Sequence, residues 1–84
     1  MRFLVEGAFK QPPTDEVLAL IPAEVARGKE LDARGVREML YVAADQSKAW
    51  QVYRSDSQEQ VQSILATFPL HPYLDVKITP LAEA

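Results

Sequence analysis

Apolar residues alternate at two different spacings along the chain and divide its first half into a strand and a helix. Residues 2–9 are rich in Phe, Val and Leu and end at the breaker QPPT, which predicts a first strand. From Thr14, a predicted N-cap, apolar residues recur at helical spacing as far as Leu31. Pro22 removes an N–H group inside this helix, so we expect a kink or break near it, and Gly35 should end the helix.

The second half of the chain contains the pattern of a hairpin, a short helix and a last strand. Residues 36–44 and 49–55 are predicted strands on either side of a polar turn at 45–48. Ser57 is a predicted N-cap for a short amphipathic helix. Residues 74–79 alternate between apolar and polar side chains and predict the final strand.

The resulting order is βαββαβ, which predicts a ferredoxin-like α+β fold with a four-stranded antiparallel sheet and two helices on one face. A chain of 84 residues has room for a single domain, residues 1–84. A domain of this size buries only about 60% of the surface that its unfolded chain exposes. Contacts with partner chains would therefore add to its stability.

Strand alternation predicts which side chains lie on each face of the sheet. The face toward the helices is predicted to carry Phe3, Val5, Leu40, Val42, Trp50, Val52, Leu74, Val76 and Ile78. The opposite face is predicted to carry Leu4, Glu6, Ala8, Met39, Tyr41, Ala49, Gln51, Tyr53, Asp75, Lys77 and Thr79. Because this second set is too apolar to face water, we expect a second copy of the chain to cover it, enclosing a cavity between two sheets.

Composition and charge exclude several classes of function. The chain has no cysteine and one histidine, so neither a disulfide framework nor a zinc site is expected. Its formal charge is −3 and it has no basic run that could follow a phosphate backbone, which argues against nucleic acid as a partner. The apolar amino terminus contains Glu6 and lacks a long apolar run, so neither a membrane span nor a signal peptide is predicted, and we expect a cytoplasmic protein.

The stretch FPLHPYLDVKITPL, residues 68–81, resembles a motif of the muconolactone isomerase family, Leu-Pro-Leu-Phe-Pro-Tyr-Met followed by an alternating strand that ends Thr-Pro-Leu. FLVE at 3–6, PP at 12–13 and KEL followed by Gly35 also fit the family. The resemblance implies a dimeric α+β barrel that forms a homodimer or a larger ring such as a decamer. It also implies an isomerase that moves a proton between carbons of an unsaturated lactone without a cofactor.

Two carboxylates are the predicted catalytic residues, since Glu6 and Glu24 match carboxylates of the family. Strand alternation predicts Glu6 on the cavity face, where loss of water would raise its pKa toward that of a useful base. The alternative for Glu6 is an ion pair with Lys77 or a hydrogen bond to Tyr53. Glu24 is expected either at the mouth of the cavity or on a solvated face of the helix.

The predicted substrate-binding residues are polar side chains of the cavity face together with the histidine of the motif: Tyr41, Gln51, Tyr53, Lys77 and His71. The two tyrosines could donate a hydrogen bond to a developing oxyanion, although tyrosines at strand spacing more often serve as packing groups. His71 is the one side chain that titrates near neutral pH without help, but it stands where the family has Phe, so packing or a subunit contact is the alternative.

Several departures from the family pattern leave the function open at this point. Met39, Tyr41 and Val42 stand where the family has His, Trp and Arg, and Ala49 replaces an Asn. We expect a muconolactone isomerase-like protein that acts on a small lactone or carboxylate. The alternatives are a non-catalytic ligand-binding or structural oligomer with the same barrel, and a cofactor-independent oxygenase, because one fold can serve several chemistries.

Overall fold

A computed structural model describes residues 1–82 of the chain. The elements are β1 (Arg2–Phe9), α1 (Asp15–Leu18), α2 (Ile21–Ala33), β2 (Arg37–Val42), β3 (Lys48–Arg54), α3 (Gln58–Leu65), a turn of 3-10 helix (His71–Tyr73) and β4 (Leu74–Leu81). The four strands form one antiparallel sheet in the order β2-β3-β1-β4. The predicted ferredoxin-like α+β fold is confirmed, with the first helix divided into α1 and α2.

The break between α1 and α2 lies where the sequence predicts it. The Thr14 hydroxyl accepts a hydrogen bond from the Val17 N–H group at 3.3 Å and caps α1. The chain leaves the helix at Ala19 and Leu20 and starts again at Ile21, so Pro22 falls in the first turn of α2. The missing N–H group of Pro22 costs nothing there, because the first N–H groups of a helix have no partner within the helix.

Gly35 ends α2 through its backbone conformation. Its φ of 72° is in the left-handed region, which favours glycine because it has no Cβ. The Gly35 N–H group bonds to the carbonyl of Asp32 and the Val36 N–H group to the carbonyl of Leu31, each at 3.0 Å, which is the Schellman pattern. This turn leads directly into β2.

Two expectations about the prolines of the last segment are wrong. The strand β4 does not stop at Pro80 but continues to Leu81. It can do so because β4 is an edge strand that pairs with β1 alone, so a missing N–H group need not break a ladder. A residue before proline is usually extended, which predicts an extended His71 before Pro72, whereas His71 begins a turn of 3-10 helix.

The core lies between the sheet and the helices, on the face that we call the helix side. Its buried side chains come from both central strands, both longer helices and the turn after α3: Phe3, Val5, Leu31, Tyr53, Val61, Leu65 and Phe68. The other face of the sheet, which we call the open side, is covered by no element in the described part of the chain.

The prediction of which side chains share a face is right for β1, β2 and β4 and wrong for β3. Tyr53 pairs with Phe3, and Gln51 pairs with Val5, so both lie on the helix side. Trp50 pairs with Glu6, which puts Trp50 on the open side. Alternation favoured the face of β3 that carries Trp50 and Val52 over the face that carries Gln51 and Tyr53, whereas the pairing with β1 fixed the opposite arrangement.

Within residues 1–82, none of the helices is both long and apolar enough to cross a lipid bilayer.

Candidate functional site

The sheet separates the predicted site residues into two groups. Glu24, Gln51, Tyr53 and His71 belong to the helix side, and Glu6, Tyr41 and Lys77 belong to the open side. The two carboxylates predicted to act in catalysis therefore cannot meet in one site within a single chain. Each group has its own geometry and electrostatics.

Glu24 lies on α2 and is held by the segment that joins α3 to β4. Its Oε1 accepts a hydrogen bond from the backbone N–H group of Leu70 at 2.9 Å. Burial raises the pKa of Glu24 above the ordinary 4.5, opposed by the Leu70 hydrogen bond and by the charges of Arg37 and His71. The expectation of a solvated helix face does not hold for Glu24, since its carboxyl is half-buried among polar groups.

Gln51 and Tyr53 point from β3 toward the helices and share a hydrogen bond. The Tyr53 hydroxyl donates to Gln51 Oε1 at 2.7 Å, and the Tyr53 side chain is fully buried. Burial raises the pKa of Tyr53 well above its ordinary value, so the phenol stays protonated and acts as a donor. The prediction that both residues line the cavity between two sheets is wrong, because the register of β3 places them on the other face.

Arg37, at the start of β2, belongs to the same group of polar residues as Gln51 and Tyr53 and was not predicted from the sequence. Its Nη1 donates to Gln51 Oε1 at 3.2 Å, while Nε and Nη2 donate to the two carboxylate oxygens of Asp32 at 2.7 and 3.0 Å. The Arg37 side chain is only 9% exposed. A bidentate pair of this kind fixes the guanidinium plane and lowers the pKa of Asp32.

Gly28 gives the guanidinium of Arg37 its place against α2. A Cβ atom at position 28 would lie 2.6 Å from Arg37 Nη2, closer than side-chain atoms approach one another. Glycine inside a helix costs about 1 kcal/mol relative to alanine, so its presence points to close packing there. Gly28 is the signal in the sequence that another group packs closely against this face of α2.

Beside this cluster, the helix side of the sheet is incompletely covered. Leu40 and Val42 point from β2 toward the helices but are 45% and 54% exposed. Ile21 and Val25, 37% and 48% exposed, lie at helical spacing with Gly28 and therefore on the same side of α2 as Arg37. These four exposed apolar residues mark a part of the helix side that α2 leaves accessible, which we call the α2–β2 cleft.

Small residues on the sheet leave space above it near the α2–β2 cleft. Gly7 on β1 pairs with Ala49 on β3, and Ala49 pairs with Val42 on β2, so the three share the helix side. A Cβ atom at Gly7 would have one neighbour, Leu74 Cδ1, at the edge of contact at 4.0 Å. The α2–β2 cleft thus combines exposed apolar side chains and small sheet residues with the polar groups of Glu24 and Gln51. This mixture is typical of a small-molecule site.

Glu6, on the open side, is in an ion pair. Its Oε1 lies 3.1 Å from Lys48 Nζ, and the same ammonium group lies 5.4 Å from the centre of the Trp50 ring. The hydrogen bond from Lys48 lowers the pKa of Glu6, and the charges of Lys48 and Lys77 add to the effect. The expectation of a raised pKa is wrong, and the ion-pair alternative is correct in kind, with Lys48 as the partner in place of Lys77.

The remaining open-side candidates surround Glu6 loosely. Lys77 is directly opposite Glu6 on β4 and is exposed, and Tyr41 on β2 is 66% exposed. A shallow depression of about 220 Å³ beside Glu6 is lined by Lys48, Asp75 and Lys77 among others. A separate surface cleft of about 350 Å³, between the QPPT loop and Tyr73, contains neither Glu6 nor Glu24.

Comparison with known proteins identifies the family of this chain. The sequence pattern of muconolactone delta-isomerase matches residues 1–84. The chain belongs to the muconolactone delta-isomerase family. The resemblance of the FPLHPYLDVKITPL motif to this family is thereby confirmed, and the protein is muconolactone isomerase-like. None of the curated proteins gives a match.

Two solved structures resemble the chain over its whole length. A crystal structure of muconolactone isomerase superimposes with a TM-score of 0.85 at 24% identity, covering 100% of this chain and 91% of that one. A 5-chloro-2-hydroxyhydroquinone dehydrochlorinase from Burkholderia phenoliruptrix AC1100, in complex with 2,5-dihydroxybenzoquinone, gives a TM-score of 0.69 at 12% identity, covering 100% of this chain and 96% of that one. At these identities the structures show a shared fold.

The two candidate carboxyl groups differ in their capacity for proton transfer. A carboxyl group with a raised pKa can take a proton from carbon and return it, whereas a carboxylate held ionised by a lysine is a weaker base. By this criterion Glu24 is the better proton carrier of the two candidates. Gln51, fixed by Tyr53 and Arg37, is the nearby polar side chain that could orient a substrate.

Proposed function

We propose that this protein is a cofactor-free isomerase that shifts the double bond of a small unsaturated lactone, with Glu24 as the group that carries the proton. The observation that carries the proposal is the environment of Glu24, a half-buried carboxyl whose pKa is raised by burial, beside the apolar α2–β2 cleft. Membership of the muconolactone delta-isomerase family supports this class of substrate.

The proposed reaction is balanced within the substrate. The Glu24 carboxylate takes a proton from the carbon γ to the lactone carbonyl, and the electron pair of that C–H bond forms a new double bond between the γ and β carbons. The original double bond between the β and α carbons moves onto the α carbon and the carbonyl, giving a dienolate with negative charge on oxygen. The Glu24 carboxyl then returns the proton to the α carbon, which restores both the carbonyl and the carboxylate.

In this proposal His71 assists Glu24. Its charge, when present, lowers the pKa of Glu24, so the two side chains are close enough to interact electrostatically. A protonated His71 would favour the Glu24 carboxylate and could attract an acidic group of the substrate. In this proposal His71 binds and orients, and the proton moves through Glu24.

We also propose that the protein works as a cytoplasmic homo-oligomer whose basic unit is a dimer formed by two open sides. Four neighbouring open-side residues, Leu4, Met39, Trp50 and Val52, are apolar, and a twin surface would remove them from water. Glu6 and Lys48 would then form an ion pair inside the interface, and Lys77 would lie beside it. In this arrangement Glu6 serves assembly and Glu24 serves catalysis.

The decisive experiment compares two matched substitutions of the carboxylates. Purified protein is assayed with muconolactone by following the double-bond shift, and by proton NMR in D₂O for deuterium at the α carbon. We expect Glu24→Gln to lower kcat by about 10²–10⁴-fold, the usual contribution of a positioned acid or base. Glu6→Gln is the control and should change kcat less than about threefold.

Each result of this experiment has a clear meaning. If the wild-type protein does not shift the double bond of muconolactone or related lactones, the isomerase proposal fails. If Glu6→Gln abolishes turnover while Glu24→Gln retains it, the active site lies on the open side. Sedimentation that finds only monomers at micromolar concentration would contradict the dimer.

A further inference from the structure

The side-chain amide of Gln51 is held in one of its two possible orientations. Gln51 Oε1 accepts from the Tyr53 hydroxyl at 2.7 Å and from Arg37 Nη1 at 3.2 Å. If the amide were turned over, its NH₂ group would face Arg37 Nη1, which can only donate, and would leave the Tyr53 hydroxyl as its acceptor, so one of the two hydrogen bonds would be lost. The partners of Gln51 therefore decide which end of the amide is left for a ligand.

Both donors to Gln51 are themselves fixed. Tyr53 is fully buried in the core, and its raised pKa keeps the phenol protonated. Arg37 is fixed by two hydrogen bonds to Asp32 and by contact with Gly28, where a Cβ atom would not fit. Neither donor can follow a rotation of the Gln51 amide without breaking other contacts.

The NH₂ group of Gln51 is left facing accessible space. Within residues 1–82, the hydrogen bonds of Gln51's side chain are made through Oε1, and no buried side-chain nitrogen or oxygen lacks a partner. Its Nε2 is therefore reachable by solvent or by a ligand. Gln51 pairs with the half-exposed Leu40 on the helix side, so its amide borders the α2–β2 cleft.

We propose that the Gln51 NH₂ group donates a hydrogen bond to the lactone carbonyl oxygen on which negative charge develops, and that Tyr53 and Arg37 are positioning residues that hold it there. This inference rests on the proposed function and adds what the site recognises in its ligand, a carbonyl oxygen that can accept a hydrogen bond from Gln51. A donor fixed before the substrate arrives needs no rearrangement when charge appears on that oxygen.

The kinetic test uses a substitution that keeps the length of the side chain. Gln51→Met removes both amide N–H groups, and we expect kcat to fall by about 10²–10³-fold, the usual loss for one such donor, with KM changed less than about threefold. Gln62→Met, at an exposed position of α3, is the matched control for loss of a glutamine amide and should leave kcat unchanged.

The positioning role of Tyr53 is tested by a double-mutant cycle. Tyr53→Phe keeps the ring in the core and removes one of the two donors that hold the Gln51 amide, leaving Arg37 as the other, so kcat should fall by about tenfold in the wild-type background, a smaller loss than removal of the donor itself. In the Gln51→Met background the same change should have no further effect on kcat. Additive losses would mean that Tyr53 acts on the fold and not through Gln51. Thermal unfolding checks that each variant is folded. If Tyr53→Phe does not fold, the activity of Gln51→Met alone tests the proposal.

A binding measurement separates this inference from the isomerase proposal. The probe is the saturated lactone acid of the same carbon skeleton, which has no double bond to move. Its addition to ¹⁵N-labelled protein should shift the side-chain NH₂ resonances of Gln51 and leave those of Gln58, on the exposed surface of α3, in place. A shift without turnover of muconolactone supports the Gln51 donor and rejects the isomerase. Turnover with unmoved Gln51 resonances, or with full activity in Gln51→Met, overturns the inference made here.

Discussion

Glu6 and Glu24 are both half-buried glutamates close to basic groups, yet the two faces of one sheet shift their pKa values in opposite directions. Glu6 has an ammonium group at 3.1 Å, and the hydrogen bond from Lys48 lowers its pKa. Glu24 accepts a hydrogen bond from the backbone of Leu70, and burial outweighs the nearby positive charges and raises its pKa. The difference teaches that the balance between burial and the direct hydrogen-bond partner decides whether a carboxyl is held ionised or made available for proton transfer.

The largest expected difference between the two faces is in stability. Phe3→Ala removes a side chain that is 2% exposed on the helix side, so the free energy of unfolding should fall by about 3–5 kcal/mol. Tyr41→Ala removes one that is 66% exposed on the open side and should change it by less than about 0.5 kcal/mol in dilute protein. Urea unfolding at several protein concentrations measures both.

The concentration series also tests the proposed dimer. If the open side is an interface, the cost of Tyr41→Ala should grow with protein concentration, because association stabilises the folded chain by mass action. The cost of Phe3→Ala should be the same at every concentration. A Tyr41→Ala effect that is small and independent of concentration would contradict an interface at this strand.

A smaller difference is expected between two arginine–carboxylate pairs. Asp32→Ala leaves the guanidinium of Arg37, which is 9% exposed, without its carboxylate, and should lower the free energy of unfolding by about 1–3 kcal/mol. Glu38→Ala breaks the Arg2–Glu38 pair, whose side chains are 46% and 29% exposed, and should cost no more than about 1 kcal/mol. Chemical denaturation of both variants makes the comparison.

Replacement of Arg37 itself sharpens this prediction. Arg37→Met removes the buried charge together with its need for a partner, so it should destabilise the protein less than Asp32→Ala does. The opposite order would mean that Arg37 stabilises the fold mainly through its contact with Gly28 and Gln51.

The smallest expected effect is a difference in how stability depends on pH. The folded state raises the pKa of Glu24 above 4.5, so the stabilisation linked to its protonation is complete below 4.5 and is lost as pH rises through the folded-state pKa. The folded state lowers the pKa of Glu6, so the stabilisation linked to its charge is present above 4.5 and is lost as pH falls through the folded-state pKa. Urea unfolding between pH 3 and 7 measures both slopes.

Matched glutamine variants assign each slope to its residue. Relative to Glu24→Gln, the wild-type protein should lose stability as pH rises above 4.5. Relative to Glu6→Gln, it should lose stability as pH falls below 4.5. Slopes of the same sign for the two variants would contradict the difference between the two faces.

Local patterns in the sequence predicted the elements of the fold well. The caps at Thr14 and Ser57, the break near Pro22 and the end of α2 at Gly35 lie where the residue types indicate. Each of these features depends on residues within a few positions of one another, so the sequence contains the physical information needed. The family motif at 68–81 likewise identified the relatives of the chain.

The composition of the candidate site could not be read from the sequence in the same way. Gln51 and Tyr53 were expected to face away from the helices because Trp50 and Val52 make the other face of β3 more apolar, and Arg37 was not expected at all. The partners of Arg37 are Asp32, on the preceding helix, and Gln51, on the neighbouring strand. Only the pairing of strands brings these residues together.

The order of helices and strands, the breaks between them and the membership of the family follow from the amino-acid sequence alone, because periodicity and capping act between near neighbours. The face that each β3 residue occupies and the pKa of each carboxyl depend on packing. Glu24 meets its Leu70 partner across 46 positions of the chain, and a shift of one residue in strand register would exchange the two faces. Contacts over such distances exist only once the sheet has formed.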